Sequence, residues 1–298
     1  MTSSVASADV RNDALIFADR VEDKYFLAPA QARAFVDGVT KQIGEHRFRG
    51  DNANTLPRPV HYVTTLYFDS QTREIARACE RGDDNVKLRA REYYDEHPDL
   101  TEVVTSRSGV IRREPLVWLE VKARVGASTR KVRFSLPSDE VSRFLSDGVI
   151  SEQTLAQQRS NWGPDADQVL EQIAQLCTQT EGPLRPDCLA HYRRRAWQDP
   201  SGSMRITLDT RLGFYRAPAD MFNRSGEPGG ISEHTSLREL VSGPPITRLS
   251  QYLVELKLRG AQPEWLRALV SATQLEPARV GQRTFSKFLA ASHAVHQT

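Results

Sequence analysis

Polar and apolar residues alternate along eight short segments of the chain, and this period of two residues is typical of β-strands with one buried face. The segments are residues 19–27, 60–68, 86–94, 117–125, 130–136, 188–197, 204–212 and 252–259. We predict helices over 29–43, over 72–79 and from 263 onward, and a last element over 284–294. Turn-forming residues at 44–59 and 216–248 predict loops.

No internal repeat and no clean linker divides the chain. We therefore predict a flexible leader at residues 1–15 and a single α+β domain over residues 16–298. Its centre is predicted to be a closed antiparallel β-barrel of about eight strands with flanking helices. A helical insertion at about 138–180 and a loop excursion at about 216–248 interrupt this framework.

The overall composition shows little bias in charge. Of 298 residues, 40 are Lys or Arg and 38 are Asp or Glu, so no global field attracts DNA or a membrane surface. The basic residues are not interleaved with exposed aromatic residues, which argues against nucleic-acid binding. The start of the chain lacks a signal-peptide pattern, and every apolar run is far shorter than the ~20 residues that cross a bilayer. We expect a cytoplasmic protein.

Charges are sorted by sign onto one face of the predicted strands. Side chains at i and i+2 point to the same side of a strand, and six predicted strands carry charges on one side and apolar residues on the other. Four of these charges are carboxylates: Glu22, Glu120, Asp209 and Glu255. Twelve are cations: Arg20, Lys24, Lys87, Arg89, Arg91, Lys122, Arg124, Lys131, Arg133, Arg205, Lys257 and Arg259.

Two interpretations of this pattern are open. An antiparallel sheet often has one solvated face, and any single strand fits that description. A solvated face on a chain of balanced composition should carry both signs, however, and rows of cations on adjacent strands repel each other unless an anion lies among them. Arg and Lys suit phosphate, so the excess of cations favours a linear phosphate polyanion. The few carboxylates would then hold Mg²⁺ or Mn²⁺ against the phosphate oxygens.

Several short motifs, spread from about residue 18 to residue 290, resemble those of VTC domains, the polyphosphate polymerase family. The motifs are Arg20-Val21-Glu22-Asp23-Lys24-Tyr25, Leu66-Tyr67-Phe68-Asp69, Lys87-Leu88-Arg89-Ala90-Arg91-Glu92-Tyr93, Leu119-Glu120-Val121-Lys122, Lys131-Val132-Arg133-Phe134, Tyr192-Arg193-Arg194, Arg205-Ile206-Thr207-Leu208-Asp209, Val254-Glu255-Leu256-Lys257 and Ser286-Lys287-Phe288. Each motif alone is weakly specific, but their order and spread together are quite specific.

The resemblance implies the triphosphate-tunnel (CYTH-like) fold and transfer of the γ-phosphate of ATP to a growing inorganic polyphosphate chain, with Mn²⁺ or Mg²⁺. It implies catalytic phosphate contacts from Lys24, Arg89, Arg91, Lys122, Arg194, Arg205 and Lys287. Further substrate contacts are expected from Arg20, Lys87, Lys131, Arg133, Lys257 and Ser286. Glu255 is the first candidate metal ligand, followed by Glu22 and Glu120.

At one position the family motif decides what alternation cannot, and at another the chain differs from the family. Alternation does not decide which of Arg193, Arg194 and Arg195 points inward, and only the Tyr-x-Arg motif selects Arg194. Phe288 stands where the family has Tyr, which removes one hydroxyl.

Other functions remain as alternatives to polymerisation. A tunnel-type triphosphate or polyphosphate hydrolase typically opens with a Glu where this chain has Arg20, which trades a metal ligand for a phosphate contact and favours the polymerase. A non-catalytic polyphosphate- or nucleotide-binding module would keep the cations but lack metal-dependent turnover. The resemblance also leads us to expect a membrane-protein partner that removes the product.

Overall fold

The structure is a computed structural model that describes residues 21–47, 59–94, 116–125, 128–137, 140, 144, 150–162, 184–218, 237–241 and 243–297. The predicted leader, Arg20, most of the predicted helical insertion and residues 219–236 of the predicted excursion lie outside these ranges. In β-strand regions 123–125 and 128–134 the description covers the backbone alone.

The described chain forms strands and helices in the order that the alternation predicts. The helices are α1 (Ala32–Gln42), α2 (Glu74–Arg81), α3 (Glu152–Trp162), α4 (Glu264–Ala272) and α5 (Lys287–His296). The strands are β1 (Val21–Leu27), β2 (His61–Asp69), β3 (Asn85–Tyr94), β4 (Leu116–Val125), β5 (Ser128–Pro137), β6 (Arg185–Gln198), β7 (Met204–Arg216), β8 (Thr247–Arg248), β9 (Tyr252–Leu258), β10 (Glu276–Pro277), β11 (Arg279–Val280) and β12 (Arg283–Thr284).

Ten of these strands form one antiparallel sheet. Its order is β10-β1-β9-β7-β6-β2-β3-β4-β5, and β8 pairs with β7 beside this path. The prediction of a mostly antiparallel sheet with flanking helices is confirmed. The prediction of a closed barrel of about eight strands is wrong, because within the described residues no hydrogen-bonded pairing joins β5 to β10. Alternation predicts which segments are strands but carries no information on how the two edges of a sheet meet.

Two large parts of the outer face of the sheet are apolar and covered. Leu119 of β4 and Leu66 of β2 lie in a cluster that includes Phe144, while α1 and α4 cover a second cluster around Trp197 and Leu256. Phe35 of α1 is fully buried there. Side chains alternate along a strand, so the apolar side faces away from the charged side. Helices and loops cover both outer clusters, and these clusters supply most of the core.

The helices that approach the inner face begin at defined caps. Asp69 at the end of β2 accepts hydrogen bonds from the backbone N–H groups of Ile75 (3.0 Å) and Ala76 (2.9 Å), which fixes the start of α2. The side chain of Ser286 accepts from the backbone N–H of Leu289 at the start of α5. Both helices pack on a third apolar cluster, which also takes in β6 and β7. In the described part of the chain, no helix is both long and apolar enough to cross a membrane.

Candidate functional site

One face of the sheet gathers charged side chains from six strands and from the start of α5. The backbone register sets the rows: Lys24 lies opposite Glu255, and Arg205 lies opposite Lys257. On the other side of the sheet Arg89 lies opposite Glu120. The described cations on this face are Lys24, Lys87, Arg89, Arg91, Lys122, Arg194, Arg205, Lys257 and Lys287, and the described carboxylates are Glu22, Glu120, Asp209 and Glu255.

The centre of this face is withdrawn from water, so the interpretation of a simply solvated face fails. Glu120 and Asp209 are fully buried, and Arg91 and Glu255 are less than a tenth exposed. The charges of a face turned to bulk solvent would be exposed. Each of these carboxylates instead contacts cations of neighbouring strands, as buried charges require.

The first charge cluster surrounds Glu120 on β4. Arg89 donates from Nε to Oε2 of Glu120 at 2.5 Å, and Arg91 lies 3.5 Å from the same oxygen. Arg91 also donates to the hydroxyls of Thr65 (3.2 Å) and Tyr93 (3.1 Å). Burial by itself would lower the pKa of Arg91, but the Glu120 carboxylate outweighs burial and holds that pKa above its usual value. Arg91 is therefore charged, and the Glu120 carboxylate fixes the directions of both arginines.

The second cluster lies where α5 meets β6, β7 and β9. Arg194 grips Asp209 through Nε (2.6 Å) and Nη2 (2.8 Å), and Lys287 Nζ lies 2.7 Å from Asp209 and 2.8 Å from Glu255. The ring of Tyr192 lies beneath both cations, 5.1 Å from the Arg194 guanidinium and 4.9 Å from the Lys287 ammonium. Burial alone would raise the pKa of Asp209, but Arg194 and Lys287 hold it below its ordinary value.

The third cluster joins β1 to β9. Glu22 lies 3.4 Å from Lys24 and 3.7 Å from Lys257, and Lys24 Nζ also donates to the carbonyl of Phe285 at 3.2 Å. Burial and the nearby Glu255 carboxylate would raise the pKa of Glu22. Lys257, Lys24 and Lys122 together outweigh them and lower it to about 2. Glu22 is thus ionised at any physiological pH.

Lys122 shows that the sheet curls until its two ends face each other. It belongs to β4, next to one edge of the sheet, whereas β1 and β9 lie at the other end. Its pKa is nevertheless lowered, first by burial and then by the positive charges of Lys24, Arg89 and Lys257, against the attraction of Glu22. Exposed charges more than about 10 Å apart are largely screened, so Lys122 lies near these groups. The start of α5 joins the same two parts of the sheet, because Lys287 contacts Glu255 of β9 and Phe288 contacts Lys87 of β3. The charged face therefore lines a lumen, defined here by the cations and carboxylates of the three clusters together with Lys87, Lys122 and Arg205.

The remainder of the inner face is apolar and closed by α5. Phe288 packs on Tyr67 of β2, with 5.3 Å between ring centroids, and Phe285 packs on Phe26 of β1 at 5.2 Å. Lys87 lies at the boundary, with its ammonium 5.8 Å from the centre of the Phe288 ring. The lumen is therefore polar on one side and bounded by a hydrophobic cluster on the other.

The structure brings most of the predicted site residues into this lumen. Its members are Lys24, Lys87, Arg89, Arg91, Lys122, Arg194, Arg205, Lys257 and Lys287, with Glu22, Glu120 and Glu255. Arg194 is the arginine of its run that contacts the lumen carboxylates, as the motif selects. Ser286 instead caps α5. The backbone register places Lys131 opposite Lys122 and Arg133 opposite Glu120, but both side chains lie outside the described residues, as does all of Arg20.

Two lumen residues were not among the predicted site residues. Asp209 shares a strand face with Arg205, and this spacing was a usable signal, yet its bidentate contact with Arg194 depends on strand register and is invisible in the sequence. Thr207 lies opposite Glu255, and its buried hydroxyl has no hydrogen-bond partner among the described residues. Its position offers an extra polar group to a bound ligand.

Glu22 and Glu255 are the lumen carboxylates nearest to what a divalent cation would need. The charge of Glu255 raises the pKa of Glu22, so the two lie near each other, although each also contacts a lysine. No group of three or more His, Cys, Asp or Glu side chains suited to a metal occurs in the described ranges, so a metal held by this pair would need phosphate oxygens or water as further ligands. Mg²⁺ is commonly held in this way, by one or two carboxylates and a substrate phosphate. Glu120 is committed to Arg89 and Arg91 and fits this role less well.

Comparison with known proteins identifies a family whose profile matches this chain. A profile of the VTC domain matches residues 19–296, which is nearly the whole chain. No curated protein sequence matches the chain. Among solved structures, the chain is similar to a candidate adenylate cyclase from Bacillus halodurans, with 11% identity, a TM-score of 0.42, and coverage of 91% of this chain and 98% of that chain. A similarity at this level carries no information about function.

Proposed function

Because this chain belongs to the VTC domain family, we propose that it is an ATP-dependent polyphosphate polymerase that transfers the γ-phosphate of the nucleotide to a growing inorganic polyphosphate chain. The observation that carries the proposal is the position of Lys122. Its side chain is half-buried, and its pKa is lowered first by burial and then by the positive charges of Lys24, Arg89 and Lys257, against the attraction of Glu22. The negative charge of a phosphate chain in the lumen would offset this repulsion between cations.

The charge balance of the lumen supports a polyanionic substrate. Nine described cations face four described carboxylates, so the carboxylates cannot neutralise the lumen by themselves. Two unit charges about 4 Å apart interact by about 4 kcal/mol at an effective dielectric of about 20, which makes several such repulsions costly. A linear phosphate chain has one negative charge or more per phosphate and can contact cations of several strands at once. ATP and polyphosphate are therefore the proposed ligands.

The lumen residues have two proposed roles: some cations contact phosphate, and two carboxylates orient arginines. Lys122 and Arg205 are proposed to contact phosphate directly, and Lys24 joins them from β1. Glu120 and Asp209 fix the directions of Arg89 and Arg194, so these guanidinium groups are preorganised before substrate arrives. Preorganised cations stabilise charge on the transferred group and hold donor and acceptor in line.

The reaction needs no general base, since the terminal phosphate of the acceptor chain is already ionised. Glu22 and Glu255 would hold Mn²⁺ or Mg²⁺, which supplies further neutralisation of phosphate charge when bound. Both carboxylates are ionised at neutral pH, because lumen cations lower the pKa of each. The apolar cluster beneath α5 limits access of water from that side of the lumen.

The test is incubation of the purified chain with ATP and Mn²⁺, followed by gel electrophoresis of the product. Long-chain polyphosphate made by the wild-type chain, and lost in Lys122→Gln, is the expected result. Arg267→Gln is the matched control, because Arg267 is an exposed cation on α4. Release of orthophosphate without polymer would contradict the proposal in favour of a hydrolase. Nucleotide binding without any consumption would contradict it in favour of a binding module.

A further inference from the structure

A second set of arginines lies on the outer wall of the sheet, behind the lumen. Arg193 of β6, Arg211 of β7 and Arg248 of β8 line one small pocket together with Tyr62 and Tyr215. His191, Val241 and Gly243 complete the lining. Arg193 and Arg194 are consecutive in a strand and point to opposite faces, so the contact of Arg194 with the lumen places Arg193 outside it.

The backbone is shaped to bring these arginines together. The pairing of β6 with β7 shifts between His191 and Arg193, so that Arg211 and the next residue oppose a single residue of β6. Arg211 adopts a left-handed conformation, with φ of 56°, at this bulge. Bulges re-aim side chains, and left-handed backbone at a residue other than Gly is uncommon and concentrated at functional sites.

The third arginine reaches the pocket through a close approach of two chain segments. β8 pairs with β7 so that Arg248 lies opposite Gly213. A Cβ at Gly213 would lie only 3.1 Å from Cβ of Pro245, so a larger residue there would push the segment before β8 away from β7. Gly213 thus permits the contact that holds Arg248 beside the bulge.

The pocket gathers positive charge without a negative partner. No acidic residue lines it among the described residues. In the same part of the chain, neither Arg193, Arg211 nor Arg248 has an ion pair, and Nε of Arg193 is buried without a hydrogen-bond acceptor. Glu92 of β3 pairs with Thr64, as His191 does from the other side, and it accepts from the backbone N–H of Arg238. Arg193 is half-buried, whereas Arg211 and Arg248 are exposed to solvent. Three like charges around one small pocket favour an anion as its occupant.

We propose that this pocket is a second anion site, outside the lumen, that binds one phosphate group of a small inorganic phosphate such as pyrophosphate. Guanidinium groups match phosphate oxygens in geometry and charge, and aromatic hydroxyls beside them suit the same oxygens. The volume of about 30 Å³ holds about two water molecules, so the pocket admits part of one tetrahedral oxyanion, whose other oxygens would face solvent beside the exposed Arg211 and Arg248. It excludes a nucleotide base. The inference holds whether or not the lumen polymerises phosphate.

The test is calorimetric titration of the full chain with inorganic pyrophosphate in a background that weakens the lumen, Lys122→Gln/Arg205→Gln. That variant should still bind pyrophosphate. Adding Arg211→Gln/Arg248→Gln should weaken the remaining binding at least about tenfold, because charged hydrogen bonds are lost. The matched control adds Arg77→Gln/Arg267→Gln, which removes two exposed cations elsewhere and should leave the affinity unchanged.

Two results would overturn the second site: no binding to the lumen variant, or equal binding with and without the pocket arginines. Chemical protection provides a test that needs no variant. Pyrophosphate should shield Arg211 and Arg248 of the wild-type chain from an arginine-directed reagent such as phenylglyoxal, as measured by mass spectrometry, while Arg267 reacts at the same rate. Equal reaction of Arg211 and Arg248 with and without pyrophosphate would contradict the proposal.

Discussion

At the centre of β4, the inner and outer faces of the sheet are both withdrawn from water, but by different means. On β4, Leu119 and Glu120 are adjacent and both fully buried. Leu119 packs in an apolar cluster closed by other parts of the chain, whereas Glu120 lies in the lumen and contacts Arg89 and Arg91. One side of the strand therefore packs in the apolar core, and the other side contributes a charged group to the lumen.

This difference predicts which residues carry stability and which carry function. Burying an apolar side chain contributes roughly 1.5–3 kcal/mol to the free energy of unfolding. Burying a cation opposes folding unless a counter-charge lies beside it, and Lys122 has more cations than carboxylates as neighbours. The outer face should thus tolerate no loss of volume, while the inner face should tolerate loss of positive charge.

The largest effect on stability is expected on the outer face of β4. Leu119→Ala should lower the free energy of unfolding by about 3–5 kcal/mol, because it leaves a cavity in a fully buried cluster. Turnover per folded molecule should change little. Urea unfolding and activity at matched folded concentration check both statements, and a loss of activity larger than the loss of folded protein would break the separation of the two faces.

On the inner face of the same strand, Lys122→Gln should lower kcat/KM by about 10²–10³-fold, the usual cost of removing one group that stabilises transition-state charge. Its melting temperature should stay the same or rise, since the neighbouring cations lose a repulsive partner. Steady-state kinetics and thermal unfolding measure the two. A fall in melting temperature like that of Leu119→Ala would show that Lys122 is structural.

A smaller effect is expected where a lumen carboxylate is removed. Asp209→Asn leaves Arg194 and Lys287 with less counter-charge in a buried place, and should cost about 3 kcal/mol of stability. Tripolyphosphate should then raise the melting temperature of the variant more than that of the wild type, because the added anion replaces the lost charge. Equal increments in the two proteins would show that the ligand does not reach this cluster.

The smallest effect concerns pH. Burial, together with the charges of Arg194 and His46, lowers the pKa of His61 to about 3, below the ordinary value of 6.5. As the pH falls, His61 is protonated in the unfolded chain before it is protonated in the folded chain. Its contribution to the free energy of unfolding is therefore fully present above pH 6.5 and is lost as the pH drops towards 3. His61→Gln lacks this group, so between pH 7 and pH 5 it should lose about 1–2 kcal/mol less stability than the wild type. Urea unfolding at pH 7 and pH 5 tests it, and an unchanged pH slope would contradict the assignment.

The sequence predicts the strands and their charged faces well, because alternation is a local property. The open edges of the described sheet, in place of the predicted closed barrel, and the short strands β8 and β10 are not predictable in this way, since two-residue strands show no period and edge contacts depend on the whole fold. The clearest example is Arg194: alternation leaves three consecutive arginines open, and the structure pairs the middle one with Asp209.

Contacts that depend on the bulge, on a close approach of two segments or on a helix could not be predicted from strand alternation either. The outer pocket depends on the bulge near Arg211 and on the approach permitted by Gly213, and neither has a sequence signal in a strand of ordinary composition. Lys287 comes from a helix, so strand alternation could not place it in the lumen, and only the family motif pointed to it.

A crystal structure of the chain with tripolyphosphate bound tests the central claim most directly. The account predicts the anion inside the lumen, with phosphate oxygens within hydrogen-bonding distance of Lys122, Lys24 and Arg205, residues that belong to three different strands. Tripolyphosphate bound only outside the lumen, with those three side chains contacting solvent, would contradict it.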